Sequence, residues 1–441
     1  MKKILLSLLV SILCSTCVNA SEISKFVKQT SFGIGSDIGI YAIDKTNDKI
    51  LYQKNINHEL NPASILKVIS FAAAYDVLGS DYEFKTSLYK DSSNNYYIKL
   101  GGDVLLNEDN LVELISHLKN KKINEIYIDD SIFSKDKYPS SWLEEDKWPT
   151  LGALTPYIID NNRVKIALHR SSLAKKVDII QNDKYQFPII NELKIDDIHK
   201  FKIERQYGEN SPIINFIGSI SKDVEFNLPV LNPEINFNIK LRYALEKNNV
   251  VYLNKIEAKK IPQEACEIAF VSHNINQISR LILHNSNNFA SEIVARVAAA
   301  KYYNYQKEVD ENDVSNMIYS IFSPYYSIKD VVIDASGVSR KNKLCPKTIG
   351  NILTKILADE EFKKLLATSN QGTLSQRLLF LKDNLRAKTG TLREYSSLCA
   401  NFTTRNNNDI ILISIVQNSP KRKALLKDYE NRLVGLIYKK Y

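Results

Sequence analysis

Ser64 and Lys67 stand one helical turn apart at the head of an apolar stretch. The groups that would complete their chemistry, Ser286-Asn287-Asn288 and Lys388-Thr389-Gly390, lie more than 200 and 300 residues further on. A fold that uses them together must close two long loops and bring three distant segments to one point, which constrains the chain more than any local propensity. The segments also differ in kind. Pro62 suits a helix start, the apolar run behind it reaches Leu78, and Gly79 ends it, so Ser64 and Lys67 share a helix face. Ser286-Asn287-Asn288 sits between Leu281-Ile282-Leu283 and Phe289-Ala290, where a buried hydroxyl and amide need partners. Lys388-Thr389-Gly390 occurs once, on a strand expected over 385–391, and a strand glycine often marks close approach of a backbone or ligand.

Each motif alone is weak. Ser-x-x-Lys recurs at Ser134/Lys137 and Ser172/Lys175, and Ser-x-Asn at Ser92/Asn94, Ser93/Asn95 and Ser272/Asn274. Read singly, a helix cap, an interhelical loop and a β-bulge would account for the three motifs. Their order and their settings together point instead to serine-based acyl transfer. The parts are a hydroxyl nucleophile, an amine one turn away, a second hydroxyl-plus-amide pair, and a cationic strand able to grip a carboxylate. Exposed N–H groups at the head of the first helix favour a developing oxyanion at Ser64. Lys67 must act as a neutral amine, so its pKa has to fall several units below the ordinary ~10.4.

Lys2 and Lys3 precede an apolar run over 4–9, continued by Val10 and Leu13, and Val18-Asn19-Ala20 offers a small-residue cleavage site. Residues 1–20 are therefore expected to be a secretory signal peptide. The rival reading, a retained membrane anchor, falls short of the ~20 apolar residues a span requires. Export to the periplasm is the expectation. Cys14 and Cys17 leave with the signal, and the remaining Cys266, Cys345 and Cys399 are odd in number and scattered, which implies neither a full disulfide framework nor a zinc site. No metal or organic cofactor is called for. The net charge of +9 is spread thinly, and the runs Lys119-Asn120-Lys121-Lys122 and Lys421-Arg422-Lys423 are short and lack interleaved aromatics, so nucleic acid is not an expected partner. Weak, salt-screened attraction to an anionic polymer or membrane surface remains.

The hydrophobic share of 44% over 441 residues supports a sizeable core, and the length suggests two or three domains. Residues 38–43 and 49–53 read as a hairpin around a turn at 44–48. Between about 91 and 264 the chain mixes short strands and helices, punctuated by prolines at 139, 149, 156, 188, 212, 229 and 233. Helical periodicity returns over 275–300. Strands follow at 385–391, 397–403 and 409–417, and a final helix at about 421–438 carries Leu425, Leu426, Tyr429, Leu433, Leu436 and Ile437. That helix is expected to pack on the preceding sheet; an amphipathic membrane foot is the alternative. The whole reads as an α+β or three-layer arrangement.

On these residues the chain resembles the D-alanyl-D-alanine carboxypeptidase/endopeptidase family of the penicillin-binding protein 4 type. Asn61-Pro62-Ala63-Ser64, Asp334-Ala335-Ser336-Gly337-Val338-Ser339-Arg340, Gly372-Thr373-Leu374 with Arg377, and Ala387-Lys388-Thr389-Gly390-Thr391-Leu392 carry the likeness. The resemblance implies a penicillin-recognising serine transpeptidase/β-lactamase-like domain, an antiparallel sheet flanked by helices, split into 21–88 and 268–441. A large insertion at 89–267 would form one or two smaller domains. It also implies peptidoglycan stem peptides as substrate and β-lactams as covalent inhibitors. In the roles it suggests, Ser64 is the nucleophile, Lys67 the base, Ser286 a proton relay and Asn288 an orienting amide. Lys388, Thr389, Gly390 and Thr391 form the carboxylate-binding strand, with the N–H groups of Ser64 and Thr391 as the oxyanion hole. Two departures stand out: Asp334-Ala335-Ser336-Gly337 has alanine where the family usually has glycine, which questions a tight turn, and Ser286-Asn287-Asn288 has asparagine for the usual aspartate. A serine β-lactamase and a non-catalytic wall-binding module are the rival functions.

Overall fold

The computed structural model describes residues 22–30, 37–134, 136–171, 176–206, 208, 211–253 and 256–441. The expected signal segment, 1–20, lies outside the described residues. The chain divides into two compact units. One combines the described residues up to Ser80 with Asn276–Tyr302 and Glu311–Tyr441; the other combines Asp81–Ile275 with Tyr303–Asp310.

The first unit is built on a five-stranded antiparallel sheet. In spatial order its strands are Leu385–Leu392, Tyr395–Thr403, Asp409–Gln417, Asp37–Asp44 and Lys49–Lys54. The hairpin near residue 40 therefore docks against the last strand of the chain, with Ile38 opposite Val416 and Ile40 opposite Ser414. Alternation sends Ile38, Ile40, Ala42, Leu398, Ala400, Phe402, Ile410 and Leu412 into one core. There they meet Leu426, Tyr429, Leu433, Val434 and Ile437 of the C-terminal helix Lys423–Lys440 and Ile23 and Val27 of the helix over 22–30. Each fully buried Val, Leu, Ile or Phe among them contributes roughly 1.5–3 kcal/mol. The C-terminal helix thus packs on the sheet, as its apolar face suggested, although Leu425 is exposed and Val434 takes a place in the core. On the other face the helix Pro346–Ile356 comes so close that a side chain at Gly350 would collide with Tyr41. Helix, sheet and helix make three layers.

A buried ion pair fastens the C-terminal helix. Arg377 reaches Glu430 Oε2 at 2.7 Å and Asn431 Oδ1 at 2.9 Å, and Glu430 Oε1 accepts from Ser396 Oγ at 2.6 Å. The arginine noted after Gly372-Thr373-Leu374 is thereby a structural tie between the helix and the sheet.

The second unit holds two cores. A five-stranded mixed sheet pairs Glu83–Lys90 with Tyr96–Leu100 and Cys266–Asn274, and continues through Ile126–Asp129 to Glu257–Ala258. The helices Glu108–Ser116 and Pro233–Lys247 cover it, through Leu111, Leu114, Phe237 and Leu241. Two three-stranded sheets between Arg163 and Pro229 enclose the other core, around Ile166, Phe187, Phe216 and Leu228. The expected boundaries at 88/89 and 267/268 fall inside strands that pair with each other, Phe84 opposite His273, so the compact units part at 80/81 and 275/276 instead. Hydrogen bonding and a shared core draw both strands into one body.

Truncating Arg377 to alanine strands the carboxylate of Glu430, 1% exposed, inside the protein. A loss of about 3–5 kcal/mol is expected in urea unfolding of the full chain; a loss below about 1 kcal/mol would show that the pair does not tie the helix down.

Candidate active site

All of the sequence-predicted site residues lie in the first unit, and the structure brings them together. The approach to Ser64 is strained. Ala63 adopts φ +48°, outside the ordinary range for a residue with a side chain, and a single 3-10 turn, Ala63–Ile65, precedes the α-helix Leu66–Leu78. Ser64 therefore sits just ahead of the α-helix expected to carry it. The strained turn is pinned from three sides. Asn61 Oδ1 accepts from Ala63 N at 2.8 Å while its Nδ2 donates to Ser339 O at 3.0 Å, and Ser397 Oγ donates to Pro62 O at 2.7 Å. Gly337, at φ +77°, lies so close to the Ala63 carbonyl that a side chain there would collide with it. The left-handed residue of the 334–337 turn is thus Gly337, and Ala335 is accommodated, fully buried, because its own position needs no such backbone.

The helical pattern over 275–300 is interrupted. A short helix, Ile275–Ser279, passes into a wider turn, Arg280–His284, before Ser286 adopts φ +60° and a new helix begins at Asn288. The break presents Ser286 and Asn288 side by side. Asn287 Oδ1 accepts from Ala290 N at 2.9 Å, capping the new helix, a task that asparagine and aspartate perform about equally well. That equivalence accounts for the Ser-Asn-Asn spelling.

Lys67 is fully buried, and three oxygens surround its amine: Ser64 Oγ at 2.9 Å, Asn288 Oδ1 at 2.6 Å and the Ser336 carbonyl at 2.5 Å. Burial pushes its pKa down to about 7, and the negative charges of Asp334 and Glu292 work against that fall. A neutral amine has two N–H donors and one lone pair. The amide and carbonyl oxygens can only accept, which leaves the lone pair for the hydroxyl of Ser64.

Lys388, also fully buried, donates to Ser286 Oγ at 2.8 Å and to Thr389 O at 2.7 Å. Burial, and then the neighbouring Lys67, hold its pKa well below the ordinary value. Burial is what depresses Lys67, and the repulsion between the two amines falls on Lys388. Thr389 Oγ1 donates to Thr373 Oγ1 at 2.8 Å, bringing the Gly372-Thr373-Leu374 segment to the strand. Gly390 meets the backbone of Ser64: a methyl there would lie 2.8 Å from Ser64 N and 3.1 Å from Ala63 Cβ. The strand glycine marks a close backbone approach. Thr391 follows on the same strand, opposite Ser396.

Sequence reasoning missed the supports beneath the amine. The Ser336 carbonyl has no side-chain signature, and Glu292 and Arg296 follow Asn288 at the i+4 spacing that would have put them on its face. Among the described residues no cluster of His, Cys, Asp and Glu could hold a metal ion.

A serine and a lysine one turn apart, set beside a Lys-Thr-Gly strand on an antiparallel sheet flanked by helices, define the class of penicillin-recognising serine peptidases. The chain belongs to the D-Ala-D-Ala carboxypeptidase 3 (S13) family, which it matches over residues 20–440. It is 22% identical to the D-alanyl-D-alanine carboxypeptidase DacB of Haemophilus influenzae, over 96% of this chain and 94% of that one. The crystal structure of penicillin binding protein 4 (dacB) from the same organism matches with a TM-score of 0.82 at 20% identity, covering 95% of this chain and 99% of that chain. The same protein complexed with a novel β-lactam matches with a TM-score of 0.77 at 20% identity, covering 96% and 99%.

If Lys67 is the base for Ser64 it must be neutral to accept the proton, and acylation of Ser64 is then expected to rise with pH through about 7 and to level off above it. Single-turnover acylation by a chromogenic β-lactam across that range checks this; a rate flat through pH 7 would contradict it.

Proposed function

We propose that this protein is an exported D-Ala-D-Ala carboxypeptidase/endopeptidase that acts on peptidoglycan stem peptides through an acyl-enzyme on Ser64. The observation that carries the reading is the Lys67 amine, fully buried and 2.9 Å from the Ser64 hydroxyl, with burial pushing its pKa down to about 7. Ser64 Oγ attacks the carbonyl between two D-alanines as its proton passes to Lys67 Nζ. The new C–O bond places negative charge on the carbonyl oxygen, for which the N–H groups of Ser64 and Thr391 form the oxyanion hole. Collapse breaks the C–N bond, Ser286 relays a proton to the departing amine, and water then releases the acyl group. Asn288 orients Lys67 and the substrate amide.

Lys388, Thr389, Gly390 and Thr391 form the wall that receives the terminal carboxylate. An arriving anion favours the ammonium form of Lys388, against the burial that opposes it. β-Lactams mimic the same dipeptide and acylate the same serine. The signal peptide at 1–20 and a periplasmic location belong to this reading, with at most weak attraction to the membrane surface. In this reading the catalytic domain is the first compact unit and the insertion the second, with the boundaries at 80/81 and 275/276. A β-lactamase needs a built-in base to activate the deacylating water, and a carboxylate is one candidate for that part. The two carboxylates whose charge reaches Lys67 are instead engaged with the backbone, Glu292 by Ala335 and Ser336 and Asp334 by Gly337 and Ser339.

Labelled penicillin should mark the wild type and leave Ser64→Ala unmarked. Mass spectrometry of muropeptides after incubation should show loss of terminal D-alanine from pentapeptides, opening of cross-linked dimers, or both. Unchanged muropeptides together with an unlabelled wild type would refute the assignment.

A further inference from the structure

Glu292 lies one helical turn beyond Asn288 and is 1% exposed. Its Oε1 accepts from Ala335 N at 3.1 Å and Ser336 N at 2.8 Å, and its Oε2 accepts from Arg296 Nη1, one turn further on, at 3.1 Å. Each of these partners is a donor, so the carboxylate rather than the acid fits the site. The peptide it grips is held from its other side as well: Ser70 Oγ and Ser291 Oγ both donate to Ala335 O, at 2.6 and 3.0 Å. These contacts fix the carbonyl that follows, Ser336 O, 2.5 Å from the Lys67 amine. With Asn288 Oδ1 as the second fixed acceptor, the lone pair has one direction left, toward Ser64. If the Ser336 carbonyl swung away, the amine could turn and donate to Ser64 Oγ, an arrangement that cannot remove the serine's proton.

We propose that Glu292 is a positioning residue for the acylation step: it fixes the Ser336 carbonyl, and through it aims the Lys67 amine at the Ser64 hydroxyl. This deepens, and rests on, the reading of Lys67 as the base. The same carboxylate has an electrostatic effect. The charged groups around the amine are Glu292 on the helix Asn288–Tyr302, Asp334 on the 334–337 turn and Lys388 on the strand Leu385–Leu392; Arg296 partners Glu292. Glu292 and Asp334 favour the ammonium form of Lys67 and burial opposes it, so removing the charge of Glu292 makes Lys67 a base at lower pH.

The test uses the full chain and single-turnover acylation by labelled penicillin between roughly pH 5 and 9, with rates normalised to the protein finally labelled. Glu292→Gln keeps an acceptor for the two N–H groups but loses the charge. Its acid limb should move to lower pH by about half a unit or more, with a plateau within about tenfold of wild type. Glu292→Ala also loses the acceptor, and its plateau should fall about a hundredfold. If Glu292→Gln leaves Arg296 as an unpaired buried cation and the chain fails to fold, E292Q/R296M removes both partners and carries the same downward shift. A merely structural role would lower the fraction of protein that labels without moving the midpoint or the normalised rate. Variants matching wild type in both would overturn the proposal while leaving the serine site intact, whereas a wild type that never labels would overturn both.

Discussion

Removal of the Lys67 ammonium from water is the constraint around which the catalytic unit is organised. A lysine in solvent is no base at neutral pH, and a lysine fully buried without partners would be prohibitively costly. The unit avoids both outcomes. Helix Leu66–Leu78 is buried along most of its length, which desolvates the amine, while Asn288 and the Ser336 carbonyl satisfy its two hydrogens. Asp334 and Glu292 oppose the desolvation and leave the pKa at about 7, where proton transfer in either direction is cheap. Weaker burial would leave Lys67 permanently charged. Without the two carboxylates its pKa would fall further still.

Positioning is achieved by backbone strain that the rest of the unit holds in place. Ala63 and Ser286 both occupy left-handed backbone, each costing about 1–3 kcal/mol, and both sit within one residue or less of a reacting hydroxyl. Asn61, Ser397 and Gly337 restrain the first, and the cap from Asn287 starts the helix just after the second. Two glycines make the crowding possible, Gly337 against Ala63 and Gly390 against Ser64 N. The sheet then does for the third segment what helix packing does for the other two. Its antiparallel register sets Lys388 opposite Cys399 and Gly390 opposite Ser397, the residue whose hydroxyl holds the Pro62 carbonyl.

The inserted unit is stabilised by different means. Helix Pro233–Lys247 gives Phe237 and Leu241 to one core and Ile239 to the edge of the other, and from its middle Lys240, 2% exposed, reaches Asp160 at 2.6 Å and Asp183 at 3.0 Å. Removing its partners would leave a buried charge uncompensated. Every side chain assigned a part in the acyl transfer belongs to the other unit, so the catalytic chemistry and the insertion are separate structural problems within one chain.

Much of the site was legible in the sequence because its chemistry demands particular residue types at fixed local spacings. Ser64 with Lys67 at i+3, Ser286 with Asn288 at i+2, and a lone Lys-Thr-Gly tripeptide on a strand are patterns that survive without coordinates. The hairpin, the apolar helix, the three late strands and the C-terminal helix were legible too, since burial imprints periods of two and 3.6 on the residues themselves. The break in the helix at Ser286, the strain at Ala63, the assignment of strands Glu83–Lys90 and Cys266–Asn274 to the insertion, and the Ser336 carbonyl beside Lys67 were not. A main-chain oxygen has no letter in the sequence, and a pKa near 7 is a property of what surrounds a lysine rather than of the lysine. The chain by itself determined which groups were present; only the folded packing decided which of them lost water, and that loss is what holds the pKa of Lys67 far below that of a solvent lysine.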